Sequence, residues 1–172
     1  MENEQLFIVR YNEIFLKSKA VAKSMLFLLK NNIKEQFKQK NIFSSINILD
    51  RRIFVSGFEE SKKDEIEFVL ENTFGVESFS FAYVLSSTDI ASIKDFCKQQ
   101  FASYIKKTDT FAIRAKCIGT SYRTYDLEKT VGDLFDAKVN LKNSKKTIYI
   151  EVRQNKTYIY TKTIKGMSGL PV

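Results

Sequence analysis

Between residues 5 and 85 the spacing of apolar side chains switches between about two and about 3.6 residues, and that switching constrains the fold more than any single residue does. "QLFIVRY" is a short β run, and "SKAVAKSMLFLLKNNIKEQFKQK" reads as a long helix that Ser18 is placed to cap. "INIL" and "RIFVSG" are two further β runs, expected to turn at Asp50-Arg51. "EESKKDEIEFVLENTFG" is an acidic helix with Gly75 as its expected stop, and "ESFSFAYVL" alternates as a strand. The order β-α-β-β-α-β is the ferredoxin-like pattern, so residues 1–85 are predicted to form one α+β domain.

The second half, residues 86–172, has its own alternation. "SSTDIASIKDFCKQQFASYIKK" places Ile90, Ile93, Cys97, Phe101 and Tyr104 at helical spacing, with Ser87 or Thr88 as the expected cap. "TFAIRAKC" alternates as a strand and "RTYDLEKTVGDLFDA" as a helix. "TIYIEVRQNKTYIYTKTI" is a hairpin expected to turn at Gln154-Asn155. This is a second, small α/β unit.

Charge narrows the choice of partner. The chain has 28 Lys and Arg against 20 Asp and Glu, a formal net charge of +8. Residues 1–84 carry twelve of each sign, whereas residues 85–172 carry sixteen basic and eight acidic side chains. The neutrality of the first half hides a further split, into a basic front (residues 1–40) and an acidic back (residues 41–84). On an ideal helix Lys19, Lys23, Lys30 and Lys34 fall within about 60° of one another, beside a stripe expected from Val21, Met25, Leu29 and Ile33. Segregated positive charge suits a polyanion.

Catalysis finds no foothold in these residues. No G-x-x-x-x-G-K-[ST], G-x-G-x-x-G or G-x-S-x-G is present, so no catalytic residue and no cofactor is assigned. The sequence has no His, and its two Cys stand twenty residues apart, which excludes the common zinc arrangements and His-based triads. Cys97 is expected to be a buried structural thiol. No apolar run approaches a membrane span, and "MENEQLFIVR" is too acidic and short for a signal peptide, so a cytoplasmic location is expected.

Basic residues do interleave with aromatics and hydroxyls, in "IRAKCIGTSYRTY", "NLKNSKKTIY" and "TKTIKGMSG". Lys and Arg neutralise phosphates, Ser, Thr and backbone N–H groups fix register, and Tyr122 or Tyr125 offers a stacking face. The helix after Tyr122 is expected to point its N-terminus at whatever "KCIGTSYR" binds. Structured RNA with a single-stranded end suits this mixture better than base-specific DNA reading.

The opening "YNEIFLKSK" resembles the Y-G-E-I-x-L-K-x-K signature of the ThiI family, the tRNA 4-thiouridine synthetases or tRNA sulfurtransferases. "FAIRAKCIGTSY" and "VNLKNSKKTIYIEVRQNKTYIYTKTIKG" resemble a THUMP domain, and "GMSGLPV" is similar to that family's G-x-G-G-L-P-V-G. Asn12 stands where Gly is usual, "AVA" follows Lys19 where Asn-Arg is frequent, and Ser144-Lys145 replace Pro-Asp.

The resemblance implies a ferredoxin-like domain (residues 1–85) followed by an α/β THUMP domain (residues 86–172). It implies a module that grips the acceptor stem and 3′-CCA end of tRNA for a PP-loop catalytic domain, in cis or in trans, and that can form a homodimer. The positions it marks are Tyr11, Glu13, Lys17 and Lys19 in the first half, with Lys17 and Lys19 as its RNA candidates, to which the lysine ridge of the helix adds Lys23. In the second half its RNA candidates are Arg114, Lys116, Ser121, Lys142, Asn143, Arg153 and Lys165, and the basic, aromatic-rich stretch "IRAKCIGTSYRTY" adds Arg123. The alternative is an RNA-binding or interaction subunit of another RNA-modifying enzyme, a THUMP-linked methyltransferase or deaminase.

Overall fold

The computed structural model describes residues 4–172, the Phe15 side chain excepted, so residues 1–3 of the stretch weighed as a leader lie outside the described residues. Along the chain the elements are β1 (Glu4–Arg10), α1 (Lys19–Gln39), β2 (Ser45–Leu49), β3 (Arg52–Ser56), α2 (Lys63–Glu71) and β4 (Ser78–Leu85). They continue as α3 (Ile90–Phe101), β5 (Thr110–Cys117), α4 (Thr124–Gly132), β6 (Lys138–Val139), β7 (Lys146–Arg153), β8 (Lys156–Tyr160) and β9 (Ile164–Lys165). Two compact units result: one holds Gln5–Phe81 together with Thr163–Val172, the other Ala82–Lys162.

The first unit orders its strands β2-β3-β1-β4, as the ferredoxin-like pattern requires. β2 and β3 pair antiparallel with Leu49 opposite Arg52, leaving Asp50 and Arg51 as a two-residue turn with φ of 50° and 61°. Both angles are left-handed, as the right-handed twist of a tight hairpin demands. α1 buries Leu29, Ile33 and Phe37 completely or nearly so, each removal of apolar surface being worth roughly 1.5–3 kcal/mol. Val21, expected in that stripe, is 42% exposed. Steps of four residues overshoot a full helical turn by about 40°, so Val21 lies about 120° round from Ile33, and Ala22 and Leu26 pack on the core instead. Ser18 precedes the helix as expected, but its side chain makes no capping bond.

Gly75 does not stop α2, which ends at Glu71. There the Asn72 amide donates to the Phe68 carbonyl at 2.8 Å and the Thr73 hydroxyl to that of Val69 at 2.6 Å. Gly75, at φ +98°, serves the returning C-terminal segment: its N–H donates to the Ser168 carbonyl, and Pro171 Cδ lies 3.2 Å from where a Cβ would stand. The segment is tied on by Gly166 N–H to the Glu77 carbonyl and Ser168 N–H to the Val76 carbonyl, both at 2.8 Å, and by β9 pairing with β4 at Ser78↔Lys165. A linear division at residue 85 groups Thr163–Val172 with the second half; its contacts group it with the first.

In the second unit β8 pairs antiparallel with β7, turning at Gln154 (φ 49°) and Asn155 (φ 63°) as expected. β7 runs parallel to β5 from Phe111↔Lys146 to Cys117↔Val152, and β6 pairs parallel on the other side of β5. Parallel neighbours need a crossover, which α4 supplies. Ile113, Ile148, Ile150 and Ile159 meet Ile93 and Cys97 of α3 and Leu127 and Val131 of α4 in one core. Cys97 is fully buried, which pushes its thiol up to about 12. The cap of α3 is Asp89, not Ser87 or Thr88: its carboxylate accepts the Ser92 N–H at 2.9 Å and also hydrogen bonds from the Ser87 and Ser92 hydroxyls. Those donors hold the Asp89 carboxyl down at about 2.

Two tests follow from these contacts. At Gly166 a Cβ would stand 2.3 Å from the Val76 carbonyl oxygen, so Gly166→Ala is expected to destabilise the chain by about 1–3 kcal/mol in urea unfolding. At Gly132, where the nearest atom is 3.9 Å away, the same change should raise stability by about 0.5–1 kcal/mol. Because the folded Asp89 pKa is depressed, its contribution is present above about 4 and lost as pH falls toward 2. Thermal melts of Asp89→Asn should therefore lose less stability than the parent across that interval.

Candidate nucleic-acid interface

In the first unit, β1 delivers Tyr11 half-buried against the core, where burial raises its pKa and the nearby Arg51 charge opposes that rise. A 3-10 turn, Glu13–Leu16, then re-aims the chain. Ile14 anchors it at 0% exposure, and Lys17 N–H closes it onto the Ile14 carbonyl at 3.2 Å. Glu13 is exposed, so the corner is held by Ile14 and the backbone. Lys17 emerges from this corner, and Lys19 and Lys23 follow on the first turns of α1, all three exposed.

These lysines line a hollow of about 1000 Å³ together with Leu26 and Phe27 of α1 and with Ile48 and Arg51 of the β2–β3 hairpin. None of the three ammonium groups forms an ion pair among the described residues. Lys19 and Lys23 at i,i+4 repel, at a cost of roughly 0.2–0.5 kcal/mol to the helix. Uncompensated like charge around an open hollow favours a polyanion. Arg51 reaches this rim only because the β2–β3 turn folds back beside α1; Lys19 and Lys23 are already neighbours on the helix.

In the second unit, the parallel register separates the remaining candidates into two groups. Lys142 and Asn143 lie at the end where β7 begins, in a loop pinned by Asn140, whose Oδ1 accepts both of their backbone N–H groups at 3.1 and 3.0 Å. Arg114, exposed on β5, donates its guanidinium to the Leu141 carbonyl and so joins this group. Asn140 is the pin that the sequence pattern does not single out, though an Asn before a polar loop is the signal for it. The second group follows the far end of β5, with Lys116 exposed on the strand and Ser121 and Arg123 on the loop leading into α4. Six residues of strand put the loops at its two ends about 20 Å apart, with Arg114 and Lys116 between them, about 7 Å from each other on one face of β5.

The loop before α4 is held by Tyr122, whose hydroxyl donates to the Thr88 carbonyl at 2.5 Å while its ring packs on the core. Tyr125 is 62% exposed and keeps its face open for stacking. The N-terminus of α4 is partly occupied by the chain itself. Asp126 accepts from the Arg123 backbone N–H at 3.3 Å and from its guanidinium at 3.0 and 3.2 Å, which raises the Arg123 pKa and lowers that of Asp126.

Arg153 and Lys165 lie elsewhere. Arg153 is 7% exposed, with Nη2 3.9 Å from the Glu151 carboxylate, which accepts the Tyr160 hydroxyl at 3.1 Å. Lys165 is exposed on β9 and belongs to the first unit. Neighbouring Lys145 and Lys146 are engaged by buried Asp109, whose carboxyl they hold well below the usual range together with the Lys106 N–H. No group of His, Cys, Asp and Glu among the described residues is arranged to hold a metal ion, and no described helix is long and apolar enough to cross a membrane.

Comparison with known proteins agrees with this architecture. Residues 6–80 match the ThiI ferredoxin-like domain and residues 87–162 the THUMP domain. A probable tRNA sulfurtransferase of Saccharolobus solfataricus is 33% identical over 97% of this chain and 44% of its own length. The chain thus spans less than half the length of the curated relatives it matches. Among solved structures, PH1313 of Pyrococcus horikoshii superposes with a TM-score of 0.82 at 29% identity, over 98% of this chain and 57% of that one. A 4-thiouridine synthetase crystallised with RNA and ATP superposes with a TM-score of 0.75 at 25% identity, over 98% and 44%. By the order and identity of its two domains, the chain belongs to the ThiI family, as that family's ferredoxin-like domain followed by its THUMP domain.

Proposed function

We propose that this chain is the tRNA-binding module of a ThiI-like 4-thiouridine synthetase, holding the acceptor stem and 3′-CCA end for a PP-loop catalytic domain supplied in cis or in trans. The observation that carries the reading is the set of exposed lysines, without ion pairs among the described residues, that rims the hollow beside α1. It is supported by likeness to a 4-thiouridine synthetase crystallised with RNA.

Lys17, Lys19 and Lys23, with Lys165, take backbone phosphates, which fix position without reading sequence. In the THUMP domain, Lys116, Ser121 and Arg123 form one contact group, and Arg114, Lys142 and Asn143 form another that engages the unpaired end. Tyr125 supplies a stacking face. Arg153 acts from inside, keeping Glu151 and its strand in place. A cytoplasmic site of action and a homodimer both accord with this reading.

Affinity for tRNA is expected to fall steeply with salt, each phosphate neutralised steepening the fall of log K against log salt by about 0.7–0.9, the span from single strands to B-form duplex. Gel shifts with intact tRNA and with tRNA trimmed of its 3′ end should differ, and equal binding would overturn recognition of that end. Lys17→Ala and Lys19→Ala should each weaken tRNA binding several-fold with an unchanged melting temperature. Tyr11→Ala should instead lower stability by about 2 kcal/mol. Reversal of those two effects would remove the lysines from the interface.

A further inference from the structure

The far end of α1 carries a second basic hollow, of about 400 Å³, where the lysine ridge runs on through Lys30 and Lys34 past the residues assigned to tRNA above. It is lined by Lys30, Lys34 and Lys38 of α1 and by Asn41, Phe43 and Ser44 of the segment that follows the helix. The lysines step along the helix at about 6 Å intervals. None of them forms an ion pair among the described residues.

What makes this more than a solvated helix face is Phe43. Just past α1, Asn41 adopts φ 55° and the Ile42 N–H returns to the Phe37 carbonyl at 2.9 Å, while the Ile42 side chain is buried at 6%. This is the left-handed helix ending in which the hydrophobe after the turn residue seals the last turn. Ile42 meets that need, so the stop does not require Phe43. Phe43 is nevertheless 83% exposed, and it lines the same hollow as the lysines, just after a hydrogen-bonded turn. An exposed aromatic face beside a line of uncompensated cations is the pairing that single-stranded nucleic acid uses, with bases on the ring and phosphates on the charges.

We infer that Lys30, Lys34, Lys38 and Phe43 form a second RNA subsite, which seats an unpaired nucleotide on Phe43 and its flanking phosphates on the lysines. The inference rests on the RNA-binding reading of the chain. It extends the footprint from Lys23 to Lys34 by about 17 Å along α1.

The chain contains no Trp, so Phe43→Trp introduces a single indole reporter. Titration of that variant with a uridine decanucleotide should quench its fluorescence saturably. Poly-glutamate of equal charge should not. Replacing Lys30, Lys34 and Lys38 with Gln in the same variant should reduce the salt slope by about 2, at roughly 0.7 per phosphate on a single strand. Phe43→Ala should weaken decanucleotide binding at least about 5-fold, the lower limit for loss of one base–aromatic stack. An unquenched indole, equal quenching by poly-glutamate or an unchanged salt slope would each overturn the subsite. Gel shifts of full tRNA with the parent chain separate the two readings: retained tRNA binding with any of those results sinks the subsite alone, whereas absent tRNA binding sinks the module.

Discussion

The first unit depends on a backbone pairing between residues nearly ninety positions apart. Gly166 and Ser168 donate to the carbonyls of Glu77 and Val76, and β9 continues the pairing along β4. Such closure is slow to form and costs loop entropy, so it needs contacts that reward it. Pro171 packs against Gly75, Asn32 donates to the Val172 carbonyl at 3.0 Å, and Thr163 meets Ser80, which also takes the Arg10 guanidinium at 3.1 Å. The chain therefore leaves the first unit after Phe81 and rejoins it at Thr163, so the THUMP unit is, in sequence terms, an insertion.

The basic surfaces follow from local devices that hold loops still. In the first unit a buried Ile14 and one backbone bond fix the corner that projects Lys17. In the second, Asn140 organises the loop of Lys142 and Asn143, and Tyr122 fastens the loop of Ser121 and Arg123. Positioned cations lose less side-chain and loop freedom on meeting phosphate than mobile ones do. Where the chain compensates its own charges, as at Arg123–Asp126 or Lys145–Asp109, the pairing serves a cap or a strand end.

Much of the fold was legible because both periodicities are strong and each hairpin turn carries one residue, Asp50 or Asn155, tolerant of left-handed backbone. Asp50-Arg51 and Gln154-Asn155 turn where expected for that reason. Val21 was misread because a four-residue step drifts round the helix, and Gly75 because a glycine near a helix end has more than one use. The candidate interface was legible as residue types and signatures. Its grouping was not, since the parallel register of β5 and β7 sets the loop of Lys142 and Asn143 at the opposite end of β5 from Ser121 and Arg123, and Arg114 joins the first only through the Leu141 carbonyl. Lys38 could have been found by extending the four-residue series past Lys34; Arg51 and Phe43 could not.

By itself the sequence determined the element order, the excess of positive charge, the absence of His-based chemistry and the family signatures, because each is a property of residues near one another along the chain. Only the tertiary structure decided that Thr163–Val172 returns to the first unit, that Arg153 turns inward beside Glu151, and that Arg51 joins the lysines of α1. Those outcomes are set by which distant backbone groups and apolar surfaces satisfy one another on burial, and a linear pattern of charge and hydropathy does not encode that choice.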